Sequence, residues 1–215
     1  MKQLILFSQC LVVVEAMAAI AGLVTWKKWK HSYLKWFPVY LLIITALEIC
    51  YRVLELNKQI AEASYVYAVG IPLEILFINW FFYHTLEKKY RKLIIAGCIL
   101  YTVAWILENS LLNNKVYYFQ SISYTTGNLF ILIYVILFFI ELTGSERIMH
   151  FRRLSVFWIV CGLMLFYVGS FPFYGLYNEL AKDMSLFVPV AWAATSFNYA
   201  MYLLFTIGFI WGKPR

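Results

Sequence analysis

Seven runs of about 20 consecutive apolar residues dominate this chain, and a run of that length crosses the ~30 Å of bilayer hydrocarbon as a helix. They cover residues 4–25, 37–56, 64–86, 93–112, 119–141, 154–177 and 186–211. In lipid each backbone polar group must be satisfied within its own segment, so such runs fold as helices. The connections are short, which makes consecutive helices antiparallel neighbours. The expected fold class is all-α: a polytopic membrane protein with a seven-transmembrane-helix bundle, forming a single transmembrane domain over residues 1–215. Composition points the same way, with 63% hydrophobic and 13% charged residues. A soluble domain averages about 45–50% and about 25%. Polar stretches are loop-sized and leave no room for an accompanying soluble domain. The opening Met1-Lys2-Gln3 and the Ala16-Met17-Ala18 triplet resemble a signal peptide and its cleavage site. Glu15 interrupts that apolar run, which continues to Val24, so it is read as a retained first span.

Basic residues set the orientation. Lys27, Lys28, Lys30 and Lys35 follow the first run, Lys88, Lys89, Arg91 and Lys92 the third, and Arg147, Arg152 and Arg153 the fifth. Lys213 and Arg215 end the chain, whereas the opposite side carries Lys2, Lys58, Lys115 and Lys182. The positive-inside rule then predicts an outside N-terminus and a cytoplasmic C-terminus. The expected location is the cell membrane, multi-pass, in a bacterial inner membrane. Trp26, Trp29 and Trp36 suit an inner aromatic belt, and Tyr65, Tyr67, Tyr117, Tyr118, Tyr174 and Tyr177 an outer belt or the roof of a cavity. The formal charge of +7 is explained by this loop asymmetry, so no nucleic-acid partner is expected. The partners expected are the lipid bilayer, a small solute, cation or proton, and a cytoplasmic or membrane protein.

Inside the second run stands Leu47-Glu48-Ile49-Cys50-Tyr51-Arg52-Val53-Leu54-Glu55. Its charges fall at i, i+4 and i+7, on one face of a helix. A charge at the bilayer centre costs roughly 2.5–3.5 kcal/mol on insertion scales, so it persists where it is paired or faces a cavity. At 1.5 Å per residue, Glu15, Glu48, Glu74, Asn128 and Asn198 fall near the midplane, and Arg52, Glu55 and Glu108 one to two turns further out. These eight residues form the expected ligand- or ion-binding set. Arg52 is the fixed positive charge, expected to fork between Glu48 and Glu55 or to reach Glu74 or Glu108. Carboxyls exceed cations within the spans, so protons, bound cations or water must balance them. The cavity is expected between spans 1, 2, 3 and 4, with contributions from 5 and 7. Polar groups that merely hold the helices together are the competing reading. Glu55 and Glu108 lean that way, near enough to Lys58 and Lys115 to pair. Tyr101, Trp105 and Glu108 share one face of the fourth span, a candidate aromatic wall. Pro72 two residues before Glu74 predicts a kink, which resembles the broken helices of transporters.

Pro72 and Pro189 lie 117 residues apart, as do Lys35 and Arg152. Spans 1–3 and 5–7 would then be parallel triplets joined by span 4, an arrangement that resembles SWEET and PQ-loop transporters. The chain has no proline–glutamine pair, and the resemblance carries no family membership. The helix count also resembles seven-helix receptors and rhodopsins, an analogy of fold that does not carry function.

Several chemistries find no residues here. No lysine lies within a span, which excludes a retinal Schiff base. His31, His84 and His150 all fall at the basic side, away from mid-depth, so haem ligation across helices is not expected. There is no HExxH, no GxSxG and no aspartate within a span. Cys10, Cys50, Cys98 and Cys161 lie in apolar runs without CxxC spacing and read as packing residues. No catalytic residue, metal site or cofactor is expected; the reading leans away from an enzyme, and an intramembrane enzyme ranks last among the alternatives. The leading expectation is binding or transport of a small solute or cation, linked to protons. The alternatives are a seven-helix receptor or sensor signalling to a separate cytoplasmic partner, and an accessory subunit of a larger membrane complex.

Overall fold

A computed structural model of the protein describes residues 2–112 and 119–213. Lys115, Tyr117, Tyr118 and Arg215, which entered the charge and belt arguments, lie outside the described residues, as do the side chains of Lys2 and Arg147. The structure is all-α, with seven helices among the described residues long and apolar enough to cross a membrane. We number them α1 (Lys2–Val24), α2 (Trp36–Leu56), α3 (Ile60–Thr85), α4 (Arg91–Leu112), α5 (Ser121–Thr143), α6 (Ser155–Gly175) and α7 (Met184–Trp211). Their ends fall within four residues of the apolar runs, because what ends each run is also what ends a membrane helix: charge, glycine or a cap. Asp183 is an instance. Its Oδ1 accepts the Ser185 amide at 2.9 Å, capping α7. Those Ser185 hydrogen bonds, hydroxyl first and then amide, hold the exposed Asp183 carboxyl below its ordinary range. Pro72 does not break α3, which runs unbroken past it.

The helices form a sequential ring. Each packs on its chain neighbours and α1 closes against α7, while α3 packs on both α4 and α5. As a result α4 sits at the periphery of the ring. The α6–α7 contact is the most extensive, well beyond that of α2–α3, so the two proposed triplets do not pack alike. Lipid tails are as apolar as leucine, so the bundle is held by close packing and interhelical hydrogen bonds. Tyr134 donates to Asn79 at 3.2 Å, linking α5 to α3, and the Tyr199 hydroxyl donates to the Phe7 carbonyl at 2.7 Å, linking α7 to α1.

The basic end is closed by aromatic rings. Tyr40 and Phe77 stack with centroids 4.0 Å apart. Beyond them Phe37 meets Phe81 at 5.4 Å, Phe205 at 5.1 Å and Phe209 at 6.0 Å, edge to face. Trp29 joins this layer against Phe209 and is fully buried. It therefore faces the protein interior and not the surroundings of the bundle, as an interfacial belt residue would; Trp36 is half exposed. Lys28 donates to the Phe209 and Ile210 carbonyls at 3.2 Å each, satisfying the end of α7. Burial, with Lys213 nearby, pushes the Lys28 ammonium below its ordinary range. Lys213 pairs with Leu154 in a single parallel bridge that ties the segment after α7 to the start of α6.

One close approach yields a prediction. A Cβ on Gly22 would meet Pro38 Cγ at 2.5 Å and Cβ at 2.8 Å, and Phe209 at 3.3 Å. The proline ring cannot rotate away, so Gly22→Ala must separate α1 from α2, at about 1–3 kcal/mol. At Gly70 the nearest atom to an added Cβ is Leu47 Cδ1 at 3.8 Å. There Gly70→Ala is expected to be neutral or to stabilise by up to about 1 kcal/mol, because alanine restricts the unfolded chain. Thermal unfolding in detergent checks both; equal effects at the two sites would refute the close α1–α2 packing.

Candidate functional site

A cavity of about 330 Å³ lies within the ring, in the half of the bundle away from the basic loops. Its walls come from α1 (Ser8, Leu11, Glu15), α2 (from Ile44 to Glu55) and α3 (from Val66 to Glu74). Tyr124 of α5, Phe166 and Tyr174 of α6, and Thr195, Asn198, Met201 and Tyr202 of α7 complete it, with Phe119 just before α5. Among the lining residues Glu55 and Tyr67 are exposed, and both stand at the end that carries Lys58, so the mouth is there. The opposite end is the stacked Tyr40–Phe77 layer.

The three midplane carboxyls converge as helix rise predicted. Glu15, Glu48 and Glu74, from three different helices, all line the cavity. Each has a different environment. Glu15 is 2% exposed, and its Oε1 has no hydrogen-bond partner among the described residues. The Thr45 and Tyr202 hydroxyls lie within reach of the same carboxyl, and Glu48 and Glu74 within electrostatic range. Glu48 Oε1 accepts from Arg52 Nη2 at 2.7 Å. Glu74 Oε1 accepts from the Tyr167 hydroxyl at 2.7 Å.

Arg52 is held differently from the expected fork. Its Nη2 donates both to Glu48 and to the Ser8 carbonyl of α1, each at 2.7 Å. A carbonyl oxygen has two lone pairs, so a helical carbonyl can accept such a bond besides its intrahelical one. Arg52 therefore ties α2 to α1 instead of bridging Glu48 and Glu55. Glu55 is exposed at the mouth. The Nε of Arg52 is buried and has no partner among the described residues.

Glu108 and Asn128 lie outside the cavity. Glu108, 3% exposed, accepts from the Ile122 amide at 3.0 Å and the Ser123 amide at 2.7 Å. A helix begins with four amides that have no intrahelical partner, and a carboxylate there also meets the positive end of the dipole. Glu108 on α4 thus caps α5 from a neighbouring helix. Asn128 is fully buried behind α6 and donates to the Tyr167 carbonyl at 3.3 Å. Asn198 does line the cavity, and its Oδ1 is buried without a partner among the described residues. The cavity has no wall from α4, because α3 packs directly on α5 and shuts α4 out. Tyr101 is buried and Trp105 half-buried, but neither lines it, so the aromatic wall on that helix does not form there.

Tyr67 and Tyr174, two of the tyrosines read as an outer belt or a cavity roof, line the cavity, whereas Tyr51, Tyr124 and Tyr202 are lining residues that sequence reasoning missed. Tyr51 and Tyr67 meet edge to face at 4.3 Å near the mouth, and Tyr124 and Tyr174 lie 4.7 Å apart across α5 and α6. In a chain that is 20% aromatic no single tyrosine stands out. A usable signal was the spacing of Tyr167, Ser170 and Tyr174, at i, i+3 and i+7 on one face of α6. Chemically the arrangement offers acceptors in excess, one guanidinium, phenolic hydroxyls and ring faces, in a space that holds a small molecule. No family model matches the chain, and no curated protein or solved structure proves similar to it.

Proposed function

We propose that this membrane protein binds a small solute or cation in the cavity between α1, α2, α3, α6 and α7, admitting it from the end that carries Lys58. The observation that supports this reading is the Glu15 carboxylate oxygen, buried without a partner in a cavity that opens to one end. Buried polar atoms are rarely left unpaired. Glu15, Glu48, Glu74 and Asn198 are the contacting groups of this proposal and Arg52 the counter-charge. A proton or a cation balances the carboxyl excess, which is how proton linkage enters. The bilayer orientation belongs to the same proposal: N-terminus outside, basic loops in the cytoplasm of a bacterial inner membrane.

A second reading, a receptor whose basic end passes the binding event to a protein partner, is favoured by the aromatic layer across that end. A transporter needs access from both sides. One experiment tests access, orientation and this choice. With the four cysteines replaced by alanine, Asn198→Cys is expected to react with a small water-soluble thiol reagent added outside the cell, and Lys28→Cys only from the inside. Reaction of Asn198→Cys from both sides favours transport. An Asn198→Cys that never reacts from outside overturns the proposal.

A further inference from the structure

Three residues that line the cavity each carry a side-chain atom buried without a hydrogen-bond partner among the described residues: Glu15 Oε1, Asn198 Oδ1 and Arg52 Nε. The first two accept and the third donates. Arg52 cannot spare Nη2 for a ligand, since Glu48 and the Ser8 carbonyl occupy it. Its free Nε is thus the guanidinium's remaining buried contact point. Tyr51, Tyr67, Tyr124 and Tyr174 line the same cavity.

Resting on the reading of this cavity as a binding site, we infer that its ligand is a small primary amine that also carries an oxygen acceptor, as an amino alcohol or amino acid does. An ammonium has three N–H donors and can satisfy Glu15 Oε1 and Asn198 Oδ1 together. The oxygen acceptor takes the Arg52 Nε–H. Other classes match the wall less well. A quaternary ammonium has no donor; ring faces attract it, but both acceptors stay unpaired. A bare metal cation takes oxygen ligands and leaves Arg52 Nε unpaired, with the guanidinium charge beside it. A simple anion meets four carboxyls, those of Glu15, Glu48, Glu55 and Glu74, and one guanidinium. The cavity of about 330 Å³ suits a molecule of a few heavy atoms, not a peptide.

Isothermal titration calorimetry of the whole chain in phosphatidylcholine nanodiscs tests this, since the only primary amine added is then the probe. Ethanolamine is expected to bind. Propylamine, without the oxygen, is expected to bind roughly tenfold more weakly, and choline, without N–H donors, roughly ten- to hundredfold more weakly. Glu15→Gln keeps an acceptor and loses the charge, and should weaken ethanolamine roughly ten- to hundredfold. Asn198→Ala provides a second variant, expected to cost roughly tenfold, should Glu15→Gln fail to fold. Absence of ethanolamine binding, choline binding as tightly as ethanolamine, or variants that bind ethanolamine like the wild type each overturn the amine assignment. If Asn198→Cys still reacts from outside, the cavity proposal survives that failure; if it does not, both fall.

Discussion

Arg52→Met is expected to destabilise the bundle by about 3 kcal/mol, the lower end of what breaking a buried ion pair costs. The lower end applies because the Arg52 and Glu48 side chains keep 19% and 20% of their exposure. The loss has two parts. Glu48 is stranded without its cation, and the α1 tie through the Ser8 carbonyl disappears. The double change Arg52→Met with Glu48→Gln should recover part of the stability, since the stranded charge is gone, but not the part owed to Ser8. Arg52→Lys separates stability from binding. One nitrogen makes both bonds, and an ammonium that reaches the same point can reproduce them, so thermal unfolding should shift little. The Nε donor is lost, so ethanolamine should bind roughly tenfold more weakly. Thermal unfolding in detergent of the wild type, both single variants and the double variant reads out the cycle. Simple additivity of Arg52→Met and Glu48→Gln would show that the two are not partners.

Glu108→Ala is expected to cost about 2–4 kcal/mol, from two amides that lose their acceptor and a helix end that loses its counter-charge. The Gln120 side chain, at the N-cap position of α5, makes no capping bond that could replace it. Glu108→Gln keeps one acceptor oxygen and should cost about half as much. Hydrogen exchange at Ile122 and Ser123 should rise in Glu108→Ala while the α6–α7 contact stays protected. Ethanolamine affinity should stay within about twofold of the wild type, because Glu108 lies outside the cavity. A variant with intact stability and lost binding would move Glu108 from the helix cap into the site.

Seven helices, their ends and the shared depth of Glu15, Glu48 and Glu74 followed from the chain alone. Apolar run length against hydrocarbon thickness sets the count, and a constant rise per residue sets the depth. Glu48 and Arg52 as partners followed likewise, being one turn apart on a single helix. The ring order, the exclusion of α4 and the faces that α6 and α7 turn inward were decided only by tertiary packing. A soluble helix shows which side is buried because its other side is polar. In lipid both sides are apolar, so the shared face of Tyr167, Ser170 and Tyr174 on α6 can be read from their spacing, but not which way that face turns. Glu108 illustrates the same limit. Its depth was legible, but whether a carboxyl at that depth meets a cavity or the start of a neighbouring helix depends on which helix stands beside it. The partner of Arg52 on α1 was equally hidden, because a backbone carbonyl carries no sequence signature. Rotation of each helix about its own axis decides these contacts, and in a bilayer that rotation is selected by packing between helices, not by the hydrophobic pattern along any one of them.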